Sequence, residues 1–162
     1  MASRGSVIPL FYNQIKDNKP ITITDSNMTR FMMSLDNAVE LVLYAFQNGN
    51  TGDIFVQKAP STTIGELAET MKTIYNSNTK IKNIGIRHGE KIHETLLSQE
   101  ERIVSEDLGD YFRIPADNRD LNYDKYFSKG VKAPKSEEFN SFNTVRLEKQ
   151  ELINLLASIG YK

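Results

Sequence analysis

ITITDSNMTRFMMSLDNAVELVLYAF, residues 21–46, changes period twice. Ile21-Thr22-Ile23-Thr24 alternates apolar and polar, which predicts a strand. Asp25-Ser26-Asn27 carries turn chemistry. Thr29 to Met33 predicts a second strand. Ser34 then stands where an N-cap belongs, before a helix whose Leu35, Ala38, Val39, Leu41, Val42, Ala45 and Phe46 share one broad face. Strand, turn, strand and helix within so few residues describe a mixed α and β protein.

Working outward, Ile8 to Lys16 has apolar residues at 8, 10, 11 and 15, so a short helix with Pro9 in its first turn precedes the strands. Asp53 to Gln57 predicts a buried-type strand, expected in a parallel sheet with a part of the protein outside this chain. Thr63 with Glu66 forms a capping-box pattern opening a helix through Leu67, Met71, Ile74 and Tyr75. Residues 80–86 predict a strand and 91–98 a short helix. Residues 101–127 read as irregular, with short strands near Ile103 and Phe112. Residues 128–142 read as an extended arm. Leu147 to Ile159 is a last amphipathic helix that Gly160 stops. Two regions are therefore expected, 1–127 and 128–162. The fold class is α+β, helices with short strands.

The chain has 162 residues, 39% hydrophobic and 25% charged, with a net charge of −1. That composition is globular. The charge gives no reason to expect nucleic acid or a membrane surface as partner. The absence of cysteine excludes disulfides and thiolate metal sites and permits a reducing cytoplasm, the expected location. No apolar run has membrane-spanning length, and the first residues are too short in apolar content for a signal peptide.

No G-x-G-x-x-G turn and no P-loop occurs, so no cofactor is expected in this chain. Tyr12 and Lys16 have the Y-x-x-x-K spacing of a catalytic pair. Seven tyrosines and 13 lysines give roughly 0.6 such pairs by chance, and an ordinary helix end is the better account. His88 and His93 lie five apart, off a common helix face and outside any zinc signature, so no metal is expected.

Three stretches carry more information. Arg87-His88-Gly89-Glu90-Lys91 follows a predicted strand, where binding loops sit. Arg87 offers a donor fork suited to a diphosphate, and Glu90 accepts from vicinal hydroxyls. A solvated charge cluster accounts for the same residues, and on chemistry alone it is the commoner case. Arg30 stands in an otherwise apolar strand and needs a partner, either an anionic ligand or an internal carboxylate. Ser3 to Pro9 leads small residues into a helix start, whose free N–H groups suit a phosphate.

S-R-G-S-V-I-P at 3–9, I-T-I-T-D-x-x-M-T-R-F at 21–31, G-E-K-I-H-E at 89–94 and D-N-R-D-L-N-Y at 117–123, in this order, resemble the C-terminal region of the UDP-N-acetylglucosamine 4,6-dehydratases. These are inverting, 5-epimerising enzymes of capsule and O-antigen synthesis and extended short-chain dehydrogenases. The resemblance implies a C-terminal substrate-binding subdomain whose Rossmann part, with NAD(P) and the catalytic residues, lies outside this chain. It implies that Arg30 and Arg87 hold the UDP diphosphate and Glu90 the ribose. Ser6 and Val7 would approach a phosphate, and Thr22 to Thr24 would lie near the uracil. The expected function is UDP-sugar binding without activity alone. Two alternatives stay open: a non-catalytic binding or oligomerisation module, and an enzyme half completed in trans by a separate cofactor-binding chain. The exposed edge at 53–57, the apolar face of helix 35–47 and the C-terminal arm predict homo-oligomers.

Overall fold

The computed structural model describes residues 1–3, 5–117 and 137–162. They form two compact units. The first contains Met1–Ala38, Ala59–Glu94 and Asn140–Lys162; the second contains Val39–Lys58 and Thr95–Phe139. The expected boundary at 127/128 lies outside the described residues.

The first unit is built on three helices. Helix α1 (Val7–Lys16) turns Ile8, Phe11 and Ile15 inward. Helix α3 (Ile64–Ile74) turns Leu67, Ala68 and Met71 inward, and α5 (Lys149–Ser158) adds Leu152 and Leu156. These join Ile21, Ile23, Met28 and Met32 in one buried cluster. The expected capping box opens α3: Glu66 N–H donates to Thr63 Oγ1 at 3.0 Å, and Thr63 N–H to Glu66 Oε2 at 3.3 Å. Gly160, at φ +96°, ends the chain's last helical turn.

Strands β1 (Ile21–Ile23) and β5 (Ile81–Asn83) pair in parallel, Ile21 opposite Ile81. Strand β2 (Thr29–Phe31) runs antiparallel to β4 (Ser61–Thr63). Just past the expected arm at 128–142, residues 145–147 are laid beside β4. Ser61 N–H donates to Val145 O and Leu147 N–H to Ser61 O, both at 2.9 Å. Residues 128–136 of the arm are outside the described residues.

Helix α2 (Leu35–Asn48) is capped by Ser34, whose Oγ accepts from Asn37 N–H at 3.1 Å. The broad apolar face splits in the structure. Ala38, Leu41 and Ala45 are half-buried, whereas Leu35, Val39, Val42 and Phe46 are exposed, and no residue of the helix is fully buried.

The second unit contains a three-stranded sheet. Strand β3 (Ile54–Gln57) pairs antiparallel with β8 (Tyr111–Ile114), and β8 pairs antiparallel with β7 (Glu106–Asp107). Among the described residues the one partner of β3 is antiparallel β8; the parallel partner expected for residues 53–57 is one outside this chain. The strand is not of the buried type expected, since Ile54 is exposed. Residues 91–98 form no helix. They contain β6 (Thr95–Leu97), paired with β9 (Phe139–Asn140). The helix starts later, as α4 (Gln99–Val104), because Ser98 and Glu101 make a capping box there. Ile103, expected near a strand, lies in that helix.

Two clusters of contacts, around Phe112 and around Asp53, lie within this unit. Phe112 has Lys58 Nζ at 4.4 Å and the Arg102 guanidinium carbon at 4.1 Å from its ring centroid. Asp53 accepts from Asn50 N–H at 2.8 Å, Arg113 Nε at 2.8 Å and Ala116 N–H at 3.2 Å. The Asn50 N–H, then Arg113 and Ala116, hold the Asp53 carboxyl below its ordinary range.

A depressed carboxyl stabilises the fold above the ordinary carboxyl range, and that contribution is lost as pH falls through the folded value. Asp53→Asn is expected to lower the urea midpoint at neutral pH and to flatten its acid dependence below about pH 4. Leu156→Ala, which empties part of the three-helix core, should cost about 2–5 kcal/mol in the same measurement.

Candidate functional site

Parallel strands point their C-terminal ends the same way, and the chain leaving them meets in one crevice. Here β1 delivers Thr24, and β5 delivers Ile84 through Glu90. Both reach a cavity of about 410 Å³ whose wall also includes the start of α1. Ser6, Val7, Thr22, Arg30, Arg87 and Glu90, the six residues singled out in the sequence, all line it. The remainder of the lining is mostly apolar, including Phe11, Ile23, Met28 and Leu67. A few polar groups set in an apolar wall is the common make-up of a small-molecule site.

The loop after β5 is fixed by its own turn. Glu90 N–H donates to Arg87 O at 3.1 Å, and Gly89 between them has φ +79°. Only glycine takes that conformation without strain. The Glu90 carboxylate returns the contact, accepting from Arg87 N–H at 3.2 Å and from Thr24 Oγ1 at 3.3 Å. Glu90 is therefore held at the cavity by both strand ends.

Arg30 reaches the cavity from β2, but its fork is occupied. Nη1 donates to Thr29 O at 2.7 Å and Ile92 O at 3.2 Å; Nη2 donates to Lys91 O at 2.9 Å. Glu94 lies 3.6 Å from Nε. The sequence left an internal carboxylate or an anionic ligand as its partner. The structure supplies Glu94, and three backbone carbonyls that the sequence did not signal. Arg30 thus braces the 87–94 loop from the cavity wall.

The start of α1 differs. Ser6 is its N-cap, yet the side chain makes no capping bond, and Ser6 Oγ is buried with no partner among the described residues. A buried orphan hydroxyl is rare and costly, and here it lies beside helix N–H groups that have no intrahelical acceptor. Thr22 is engaged by Gln14, which donates to its Oγ1 at 2.8 Å and accepts from its N–H at 3.1 Å.

A buried polar hub supports the loop, and sequence reasoning did not find it. Thr29 Oγ1 is 2.8 Å from His93 Nδ1 and 2.6 Å from Ser141 Oγ. Ser141 Oγ also accepts from Glu94 N–H at 2.9 Å. Ser141 belongs to a weakly apolar stretch with no motif, so only its tertiary partners reveal it. Tyr12, set aside as half of a chance pair, packs its ring against Tyr75 and Tyr161, at 5.3 and 5.8 Å between centroids.

The polysaccharide biosynthesis protein family model matches residues 1–116, and the polysaccharide biosynthesis protein C-terminal model matches 117–161. The chain belongs to the polysaccharide biosynthesis protein family. A protein of Rickettsia bellii (strain OSU 85-389) named UDP-glucose 4-epimerase is 57% identical across 99% of this chain and 48% of its own length. One of the same name from Rickettsia rickettsii (strain Sheila Smith) is 56% identical with the same coverage. The X-ray structure of Pen from Bacillus thuringiensis superposes with a TM-score of 0.80 at 36% identity, over 100% of this chain and 48% of that one. The chain thus spans about half the length of the relatives it matches. These relationships support an extended short-chain dehydrogenase-type fold for this chain.

Such folds hold a dinucleotide on a glycine-rich strand-to-helix turn. Among the described residues, the direct strand-to-helix junctions β2–α2, β4–α3 and β6–α4 contain one glycine, Gly65. A Cβ there would meet Ser26 at 3.1 Å, so Gly65 serves close packing within the fold. These junctions do not fit a dinucleotide pyrophosphate.

Removing the hub hydroxyl strands Glu94 N–H in a buried site. Ser141→Ala is expected to cost about 1–3 kcal/mol in chemical denaturation, with Thr29→Val similar. Both should raise hydrogen exchange at the Glu94 amide.

Proposed function

We propose that the cavity binds a UDP-sugar, making this chain the nucleotide-sugar-binding part of an enzyme of surface polysaccharide synthesis. The observation that carries the reading is convergence. A donor fork on Arg87, a carboxylate on Glu90 and the orphan hydroxyl at the α1 start line one largely apolar cavity. Arg87 and the helix start suit the diphosphate of a uridine diphosphate, Glu90 suits its diol, and the apolar remainder of the wall suits a flat base.

In this reading Arg87 takes the diphosphate, together with the Ser6 and Val7 backbone at the helix start. Glu90 accepts from the ribose hydroxyls, and Thr22 to Thr24 border the uracil. Arg30 adds its charge from the wall while its fork holds the loop. NAD(P), which the resemblance implies, belongs to a part of the longer protein that this chain does not span. The chain alone is then expected to turn over no substrate.

The motifs at 3–9, 21–31 and 89–94 favour UDP-N-acetylglucosamine as the sugar nucleotide and 4,6-dehydration with 5-epimerisation as the reaction, in capsule or O-antigen synthesis. The names of the Rickettsia relatives favour a second reading, 4-epimerisation of UDP-glucose. Both use the same UDP pocket.

Isothermal titration with UDP, UDP-N-acetylglucosamine and UDP-glucose tests the proposal. Binding of UDP is expected, and Arg87→Ala should weaken it about tenfold to a hundredfold. Tighter binding of the acetamido sugar supports the dehydratase, and a preference for UDP-glucose supports the epimerase. No heat at millimolar ligand from a folded chain would remove the UDP assignment.

A further inference from the structure

The polar hub behind the 87–94 loop holds a fixed number of protons, and counting them gives it a direction. Three of its contacts each need one proton. Ser141 Oγ donates to Thr29 O at 3.1 Å. Ser141 Oγ and Thr29 Oγ1 are 2.6 Å apart, and Thr29 Oγ1 and His93 Nδ1 are 2.8 Å apart. The two hydroxyls bring one proton each. The Glu94 N–H is already spent as a donor to Ser141 Oγ, at 2.9 Å. The third proton must therefore sit on His93 Nδ1. The chain then runs from His93 Nδ1–H to the Thr29 hydroxyl, on to the Ser141 hydroxyl and to Thr29 O. With Nδ1 as an acceptor, two protons serve three contacts and one buried contact goes unfilled. Thr29 and Ser141 are both buried, so bulk water does not make up that loss.

The direction reaches the cavity through the carbonyl on which the chain ends. Thr29 O also accepts from Arg30 Nη1 at 2.7 Å, and Arg30 lines the cavity. The residues on either side of His93 tie the loop to the same strand and to the hub. Ile92 O accepts from Thr29 N–H at 3.0 Å and from Arg30 Nη1 at 3.2 Å. Glu94 O accepts from Ser141 N–H at 2.8 Å. A few residues earlier, the same loop carries Arg87 and Glu90 to the cavity. His93 is not part of the cavity lining among the described residues, and its ring rests against Phe142 with centroids 4.9 Å apart.

We infer that His93 is a positioning residue of the nucleotide site, a fixed Nδ1–H donor that sets the hydrogen-bond direction on which Arg30 and the 87–94 loop are seated. The inference rests on the UDP-sugar reading of the cavity. The imidazole touches no ligand. It acts through Thr29 and Ser141, and which ring nitrogen holds the proton is set by the bond that nitrogen makes.

His93→Asn and His93→Gln separate the donor from the ring. Asparagine places an amide N–H near the position of Nδ1, and glutamine places one near Nε2. Both lose the ring contact with Phe142, so both should lower the thermal midpoint to a similar extent. UDP affinity, read by titration calorimetry, should stay within about twofold of the parent in His93→Asn and fall roughly threefold to tenfold in His93→Gln. Hydrogen exchange at the Glu94 amide should quicken in His93→Gln and not in His93→Asn. Equal UDP affinity in the two variants would overturn the inference, because it would reduce His93 to packing. Nitrogen-15 NMR of the unaltered chain reads the direction without any variant. Neutral His93 is expected to be protonated at Nδ1, and a neutral ring protonated only at Nε2 would overturn the inference. An Nδ1–H together with the split in Glu94 exchange, but without UDP binding, would remove the nucleotide reading and still support His93 as the residue that seats the loop.

Discussion

The first turn of α3 is tied to the turn between β1 and β2. Ile64 N–H donates to Met28 O at 2.8 Å and Gly65 N–H to Ser26 O at 3.0 Å. These N–H groups have no acceptor within their own helix, so the turn satisfies donors that would otherwise be stranded. The close approach favours glycine at 65, where a Cβ would meet Ser26 at 3.1 Å. From this tie the rest of the site follows. Met28 is pinned in the core, Thr24 is presented on one side of the turn, and Thr29 and Arg30 leave on the other. Arg30 and Thr29 then hold the 87–94 loop through two of its carbonyls, Lys91 O and Ile92 O, and the His93–Ser141 hub.

The cavity is therefore shaped by side chains bonded to main chain as well as by main-chain turns. Arg87 and Glu90 sit on a turn closed by its own N–H and C=O, and Thr22 is held by Gln14. Binding geometry fixed in this way needs little reordering when a ligand enters, which lowers the entropic cost of binding. The opposed charges serve different ends. An arginine fork suits an anion, while a carboxylate a few residues away suits hydroxyls and disfavours a bare phosphate there. Such a pair fixes which end of a nucleotide goes where.

Local signals were legible in the sequence, and tertiary ones were not. The caps at Ser34 and Thr63, the period of α1 and the glycine stop at 160 depend on neighbours within a few residues, so reading the chain finds them. The helix expected at 91–98 failed because charge and apolar spacing there imitate a helix, while the Ser98–Glu101 box starts one just beyond. Residues 53–57 were legible as a strand, but the antiparallel pairing with the distant Tyr111–Ile114 leaves no local mark, because a short apolar strand looks the same in either kind of sheet. The six candidate residues come to one cavity although most lie in separate elements. Arg30's carbonyl partners could not be inferred, because backbone oxygens leave no mark on sequence.

Every residue lining the cavity belongs to the first unit. Its elements α1, β1, β5 and the 87–94 loop stand on that unit's own core of Phe11, Ile21, Leu67 and Leu156. If the cavity takes a nucleotide as proposed, recognition draws on the side chains of one unit and on the core beneath them. Substitutions at Phe11 or Leu156, which lie in the first unit, then act on binding through that core, by loosening the helices and strands that carry Ser6, Thr22 and Arg30.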